Sequence, residues 1–218
     1  ILPNSKPPFT SWRLASGWAK KEIYFGAGTT IADLQSNPKY PNNPDTTEFV
    51  RSVGMFNDPY ADNYGGRFTT FFVPAQAGAY EFYLVGDDNA SLLLSSDATE
   101  ANLAWVLDSA PGLTTFDPSA VYTSGDLTAG SRYLLQLLFQ EGTGDSRAAV
   151  AVRRVGSTED PATLPVLAGN LITTYVNPDA GTIKFTTQPT SQTVPANSRA
   201  TLIVVASAPA GGVLFYQW

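Results

Sequence analysis

Apolar and polar residues alternate with a period of two along much of this chain. In residues 79–85, Tyr80, Phe82 and Leu84 fall on one face and Glu81, Tyr83 and Val85 on the other, the mark of a strand. Residues 68–73 are aromatic and β-branched and run into a turn between Pro74 and Gly78. Further strands are predicted at residues 90–95, 104–107 and 132–139, the last being the most apolar. The turn Leu127-Thr128-Ala129-Gly130 leads into it, and a break at residues 142–145 follows. Residues 147–155 are expected to fold back on 132–139 as its hairpin partner. Helical periodicity is scarce. One short helix is expected at residues 30–34, with Thr30 as N-cap, and residues 46–50 are a second helical candidate. Many short strands separated by Gly and Pro turns predict an all-β fold, an antiparallel β-sandwich.

Composition narrows the function classes. The 218 residues are 43% hydrophobic, so a core can form, and only 15% charged, below the usual quarter. The net charge is −6 and no basic cluster occurs, which argues against nucleic acid and against an anionic membrane surface. No apolar run is long enough to insert in a bilayer. There is no Cys and no His, so disulfides, Cys/His zinc sites and imidazole bases are excluded. Metal chemistry, if any, must be all-oxygen, which selects Ca²⁺ or Mg²⁺.

Against this charge-poor background, the strands at 79–85 and 90–95 are separated by Gly86-Asp87-Asp88-Asn89. Two readings are open. Gly-Asp-Asp-Asn is ordinary polar hairpin chemistry. Alternatively, the two carboxylates share a cation. In a regular strand, neighbouring side chains point to opposite faces, so sharing an ion requires the Asp87–Asp88 peptide to be cis or strongly bent. A hard cation then offsets the repulsion between the carboxylates, since Ca²⁺ takes about 6–8 oxygen ligands. Gly86 permits unusual backbone angles, and Gly142, Thr143 and Gly144 can offer main-chain carbonyls.

The segments "EIYFGAGTTIADLQSNPKYPNNPDTTEFV", "FFVPAQAGAYEFYLVGDDNASLLLSS" and "LTAGSRYLLQLLFQEGTGDSRAAVAV" resemble the PA14 domain over most of the first 155 residues. The resemblance implies a β-sandwich that often binds carbohydrate. In the calcium-dependent lectin members, an adjacent, cis-linked Asp pair and a second loop hold Ca²⁺, and sugar hydroxyls coordinate the same ion. Asp87 and Asp88 match the pair, and residues 141–147 match the second loop. The yeast lectins use an Asn in that loop; here Asp145 is the nearest candidate, with Glu141 in reserve and Thr143 as a further ligand. The expected sugar-contacting residues are Asp87, Asp88, Asn89, Trp105, Gly144 and Ser146. Trp105, Phe116 and Tyr122 can either stack on sugar rings or pack in the protein. Asp62-Asn63-Tyr64-Gly65 reads as a structural turn rather than a second ion site. Tyr40, between Pro38 and Pro41, is expected to pin a loop to the sandwich. Glu141 and Asp145 are also a formal carboxylate pair for glycoside hydrolysis, a role set below loop solvation or metal ligation.

The domain expectation is a PA14-like sandwich over residues 1–155, an extension and linker over 156–182, and the truncated start of an immunoglobulin-like domain over 183–218. The last rests on a strand at residues 200–206 and a third strand ending Tyr216-Gln217-Trp218. The functional expectation is a non-catalytic, extracellular or cell-surface module of a larger bacterial protein, binding a glycan with vicinal hydroxyls through Ca²⁺. The alternatives are a spacer or assembly module with a structural ion or none, and an accessory domain of a secreted glycoside-active enzyme.

Overall fold

The longest apolar runs become central strands, and the acidic break becomes a place where the chain leaves one sheet for another. The computed structural model describes residues 13–56, 62–176 and 184–207. The strands are β1 (Arg13–Ser16), β2 (Ala19–Phe25), β3 (Thr46–Val50), β4 (Gly54–Phe56), β5 (Tyr64–Phe72), β6 (Tyr80–Asp87), β7 (Asn89–Ser95), β8 (Leu103–Asp108), β9 (Val121–Thr123), β10 (Tyr133–Glu141), β11 (Arg147–Arg154), β12 (Ile172–Val176), β13 (Lys184–Thr187) and β14 (Val205–Ser207). The chain divides into two units, one of which is Leu14–Thr174.

That unit is an antiparallel β-sandwich. One sheet is eight-stranded, ordered β1-β12-β5-β10-β7-β8, with β2 on β5 and β3 on β2; the other is four-stranded, ordered β4-β11-β6-β9. Alternation along β6 and β7 sends Phe82, Leu84, Leu92 and Leu94 into the space between the sheets, where they meet Phe68, Phe72, Leu135, Leu137, Phe139 and Val150. Phe72 and Phe82 cross edge to face with centroids 5.1 Å apart. Each such side chain contributes roughly 1.5–3 kcal/mol by leaving water. The largely apolar sequence of β10, broken by Gln136 before its polar end, follows from cover on both faces. Leu138 on its outer face packs with Tyr24, Ile31 and Leu34.

Ile31 and Leu34 belong to α1 (Ile31–Ser36), which begins at the expected N-cap. Thr30 Oγ1 accepts from the Asp33 N–H at 3.1 Å, and Asp33 Oδ2 accepts from the Thr30 N–H at 3.0 Å, a capping box. Tyr40 lies edge-on to Tyr24 at 5.3 Å, so it does fasten its loop to the sheet. Beside it, Arg67 donates twice to Glu22 Oε2.

Three expectations change. Residues 46–50 are a strand, not a helix: Thr46, Thr47, Phe49 and Val50 pair with β2, and their β-branched and aromatic side chains suit a pleated surface. Residues 147–155 do not make a hairpin with β10. β10 pairs with β5 and β7, while β11 pairs with β4 and β6 in the other sheet. Periodicity cannot distinguish a hairpin from a crossing, because both join two strands through a short polar loop. Residues 156–174 pack into the sandwich: Leu164, Leu167 and Ile172 are buried, and Ile172 and Thr173 pair with Phe72 and Phe71.

In the other unit, β13 pairs with β14. The strand expected at 200–206 is only Val205–Ser207, because four-residue β13 offers a ladder to no more of it. Residues 177–182 of the expected linker and the strand ending at Trp218 lie outside the described residues.

At one end of the sandwich β5 approaches β10 very closely. A Cβ on Gly66 would stand 2.2 Å from Phe139 Cζ and 2.8 Å from the Glu22 carbonyl. Gly66→Ala is therefore expected to destabilise the protein by about 1–3 kcal/mol, read as a lower denaturation midpoint with an unchanged slope; a wild-type midpoint would refute this close packing.

Candidate functional site

Both acidic loops are crossings between the two sheets. The chain passes from β6 to β7 through Asp87-Asp88 and from β10 to β11 through residues 142–146. β7 is the neighbour of β10, and β6 is the neighbour of β11, so the crossings lie side by side. Gln140 stands opposite Asn89 in one ladder, and Arg147 stands opposite Asp87 in the other.

The peptide between Asp87 and Asp88 is cis. The Gly142 N–H donates to Asp88 Oδ2 at 2.7 Å, which joins the two crossings directly. A Cβ on Gly142 would sit 2.6 Å from that same oxygen, so only glycine allows the approach. Asn89 Nδ2 donates to the Thr29 carbonyl at 3.1 Å, and Gln140 Nε2 donates to the carbonyls of Gly28 and Glu141. The loop before α1 is thereby bound to the site's flank.

Glu141 is the central finding. Its residue is 2% exposed, and among the described residues neither carboxylate oxygen has a hydrogen-bond partner. Burial pushes its carboxyl up to about 7, assisted by the negative charges of Asp88, Asp87, Asp62 and Asp145. A carboxylate removed from water without a partner costs several kcal/mol, and here it is surrounded by like charges.

The other expected residues fall into distinct places. Thr143, Gly144 and Asp145 are exposed on the loop, while Ser146 is buried at its end. Asp145 is thus the outer carboxylate and Glu141 the inner one. Asp62 was read only as part of a turn. That turn is present, with Asn63 at φ 61° and its N–H bonded to the Gly142 carbonyl at 2.7 Å. Asp62 also joins the acidic group, accepting from the Gly144 N–H at 3.3 Å. Phe116 is buried beneath the four-stranded sheet and Tyr122 packs against the main core, so both are packing residues. Trp105 is 46% exposed.

One wall was missed by sequence reasoning. The loop after β8 reaches the Asp pair: the Leu113 N–H donates to the Gly86 carbonyl at 3.0 Å and the Gly112 N–H to the Asp88 carbonyl at 3.3 Å. Pro111-Gly112 carries no chemistry by type, so nothing but the pairing itself could have flagged it. Arg147 flanks the site, donating to the Thr114 carbonyl at 3.2 Å with its guanidinium 5.6 Å from the Phe56 ring centre.

The donor set is carboxylates and main-chain carbonyls, which suits a hard divalent cation. Among the described residues, no three acidic side chains are arranged to hold an ion by themselves, so main-chain or exogenous oxygens would have to complete any shell. The orphaned Glu141 oxygens fit such an ion, whose charge would offset both burial and repulsion. Glu141 is a poor general acid despite its raised pKa. A proton donor must reach the leaving atom, and this side chain is enclosed.

Solved structures share this fold at low identity. The epithelial adhesin 6 A domain from Candida glabrata, solved with Galβ1-3GlcNAc, has a TM-score of 0.50 and 14% identity, covering 73% of this chain and 87% of that one. An anti-sigma factor domain-containing protein from Clostridium clariflavum gives 0.51 at 15% identity, covering 72% of this chain and 47% of that chain, so this chain spans about half its length. A PA14 sugar-binding domain from an RTX adhesin gives 0.49 at 15% identity, covering 72% and 99%. No family model and no curated protein sequence matches the chain. What is shared is the all-β antiparallel sandwich.

The elevated Glu141 carboxyl has a stability consequence. The folded, metal-free protein keeps this proton up to about pH 7, whereas the unfolded chain releases it near pH 4.3. The native state then holds more protons between those values, so stability falls as pH rises through this window. In EDTA, Glu141→Gln should melt close to wild type at pH 5 and higher than wild type at pH 8, by on the order of 2 kcal/mol. Equal melting at both pH values would show that the carboxylate is not held unpaired.

Proposed function

We propose that this protein is a carbohydrate-binding module that holds a glycan through a calcium ion at the junction of the two crossings. One observation carries the reading: a buried, unpartnered carboxylate, Glu141, faces the charges of Asp87 and Asp88, an arrangement that a hard cation relieves. Asp87, Asp88 and Glu141 would hold the ion, aided by main-chain carbonyls of the 141–146 loop, with Asp145 and Asp62 adding outer negative charge. When bound, Ca²⁺ supplies a Lewis-acidic centre that accepts a pair of vicinal hydroxyls in place of water.

The chain's own residues do the remaining work. The Gly142 N–H fixes Asp88, and Asn89, tied to the 26–30 loop, braces the same wall. Exposed Thr143 and Gly144 form a low rim over which a ring can approach. Neutral hydroxyls bind a cation weakly, so useful affinity would come from several modules on one surface. A sugar-binding role agrees with the adhesin 6 domain of the same fold, which was solved with Galβ1-3GlcNAc. An extracellular or cell-surface location follows from such a role. Among the described residues no helix is long and apolar enough to cross a membrane.

Calorimetry on calcium-stripped protein should show Ca²⁺ binding that is lost in Asp88→Ala. A neutral-glycan array should light up with calcium and go dark with EDTA. Equal heats in wild type and Asp88→Ala would eliminate the ion site. Calcium binding without any glycan signal would favour a structural ion in a spacer module instead.

A further inference from the structure

A second feature on the eight-stranded sheet is built to a specific geometry. Trp105 and Asp108 are three residues apart on β8, so in a regular strand their side chains would point to opposite faces. They do not. β8 is irregular here: Leu92 pairs with Leu107, but Leu93 pairs with Trp105, leaving Val106 as an extra residue. A bulge of this kind re-aims a side chain. Val106 and Leu107 both pack against the core, while Trp105 and Asp108 share the outer face. There the indole N–H donates to Asp108 Oδ1 at 2.7 Å. Ser91 Oγ donates to the same oxygen at 2.6 Å, which anchors Asp108 to β7.

The result is an indole whose orientation is fixed and whose surface is 46% exposed. Among the described residues β8 is the last strand of its sheet. Trp18, by contrast, has the Arg51 guanidinium 3.5 Å from its ring centre. Asp108 leads into the loop after β8, whose Gly112 N–H donates to the Asp88 carbonyl at 3.3 Å, so the indole platform and the Asp pair flank the same loop. Leu93 packs with the α1 cluster on the outer side, and Asn89 and Ser91 alternate onto that side with it. From Asn89 to Leu93 is four residues of strand, about 13 Å, a distance that a short oligosaccharide spans.

We infer that Trp105 and Asp108 form an outlying sugar subsite. The apolar C–H face of a pyranose ring stacks on the indole, and Asp108 accepts a hydroxyl from that ring. The ligand class is a neutral oligosaccharide whose first ring sits at the crossings and whose later ring lies on Trp105. The placement of the first ring rests on the calcium reading above; the Trp105 platform itself does not require the ion.

The test measures binding of neutral gluco-, manno- and galacto-oligosaccharides, from mono- to tetrasaccharides, in calcium. For at least one series, wild-type affinity should rise with length by about tenfold, the scale of covering one indole face. Trp105→Ala should abolish that rise, and Trp105→Phe should keep most of it, with both variants melting as wild type. Asp88→Ala should bind no member. A flat wild-type series, no binding at any length, or an unaltered rise in Trp105→Ala overturns the subsite. A length-dependent rise that needs Trp105 but persists in Asp88→Ala and in EDTA overturns the calcium reading alone.

Discussion

Two hydrogen-bonded ladders, β7 with β10 in one sheet and β6 with β11 in the other, set everything that happens at the acidic end. Each of these strand pairs is continued across the sandwich by the other. The β6–β7 and β10–β11 connections must therefore leave the sheets at the same level and run beside one another. Their adjacency is a consequence of register, and register is held by the alternation that buries Phe82, Leu84, Leu92, Leu135, Leu137 and Val150 between the sheets. A slip of one residue in any of these strands would expose that set and also separate Asp88 from the Gly142 N–H.

Adjacency brings an electrostatic cost. Asp62, Asp87, Asp88 and Asp145 all act on Glu141, in a chain that is otherwise sparse in charge. Several other acidic residues among those described have close partners. Asp33 closes a helix cap, Asp97 collects four hydrogen bonds in its turn, and Glu81 pairs with Arg153 at 2.6 Å. Glu141 has no such relief. A group left in that state is tolerated where a function uses it, which is why the proposed ion is assigned to this end.

Much of this was legible in the residues. Alternation in 79–85 placed Tyr80, Phe82 and Leu84 on the core side, and Thr30 with Asp33 marked the helix start. "GDDN" stood out because two carboxylates interrupted two apolar strands. The misplaced strand has a physical cause: local pattern does not encode which sheet a strand joins. Residues 147–155 read as a hairpin partner because a short polar loop preceded them. Asp145 drew more weight than Glu141 because it lies nearest the position of the Asn in the yeast lectins that the chain resembles; tertiary packing buries the strand-terminal Glu141 and leaves Asp145 on the exposed loop. The Pro111-Gly112 wall was silent because it contributes backbone groups rather than a telling side chain.

The bulge in β8 shows the same limit from the other direction. A spacing of three reads as opposite faces on any strand, so Trp105 and Asp108 could not be joined on paper. One extra residue reverses this, with Val106 and Leu107 both spent on the core so that Trp105 can turn outward. Burying Trp105 would have recovered more free energy than leaving it wet, since indole is among the largest apolar groups a core can take. The strand instead buries Val106, a smaller side chain, and holds the larger one at the surface by a hydrogen bond to a carboxylate that β7 anchors. Core packing alone does not select that exchange. The proposed sugar ring, covering the indole when bound, would supply the apolar contact that the core forgoes.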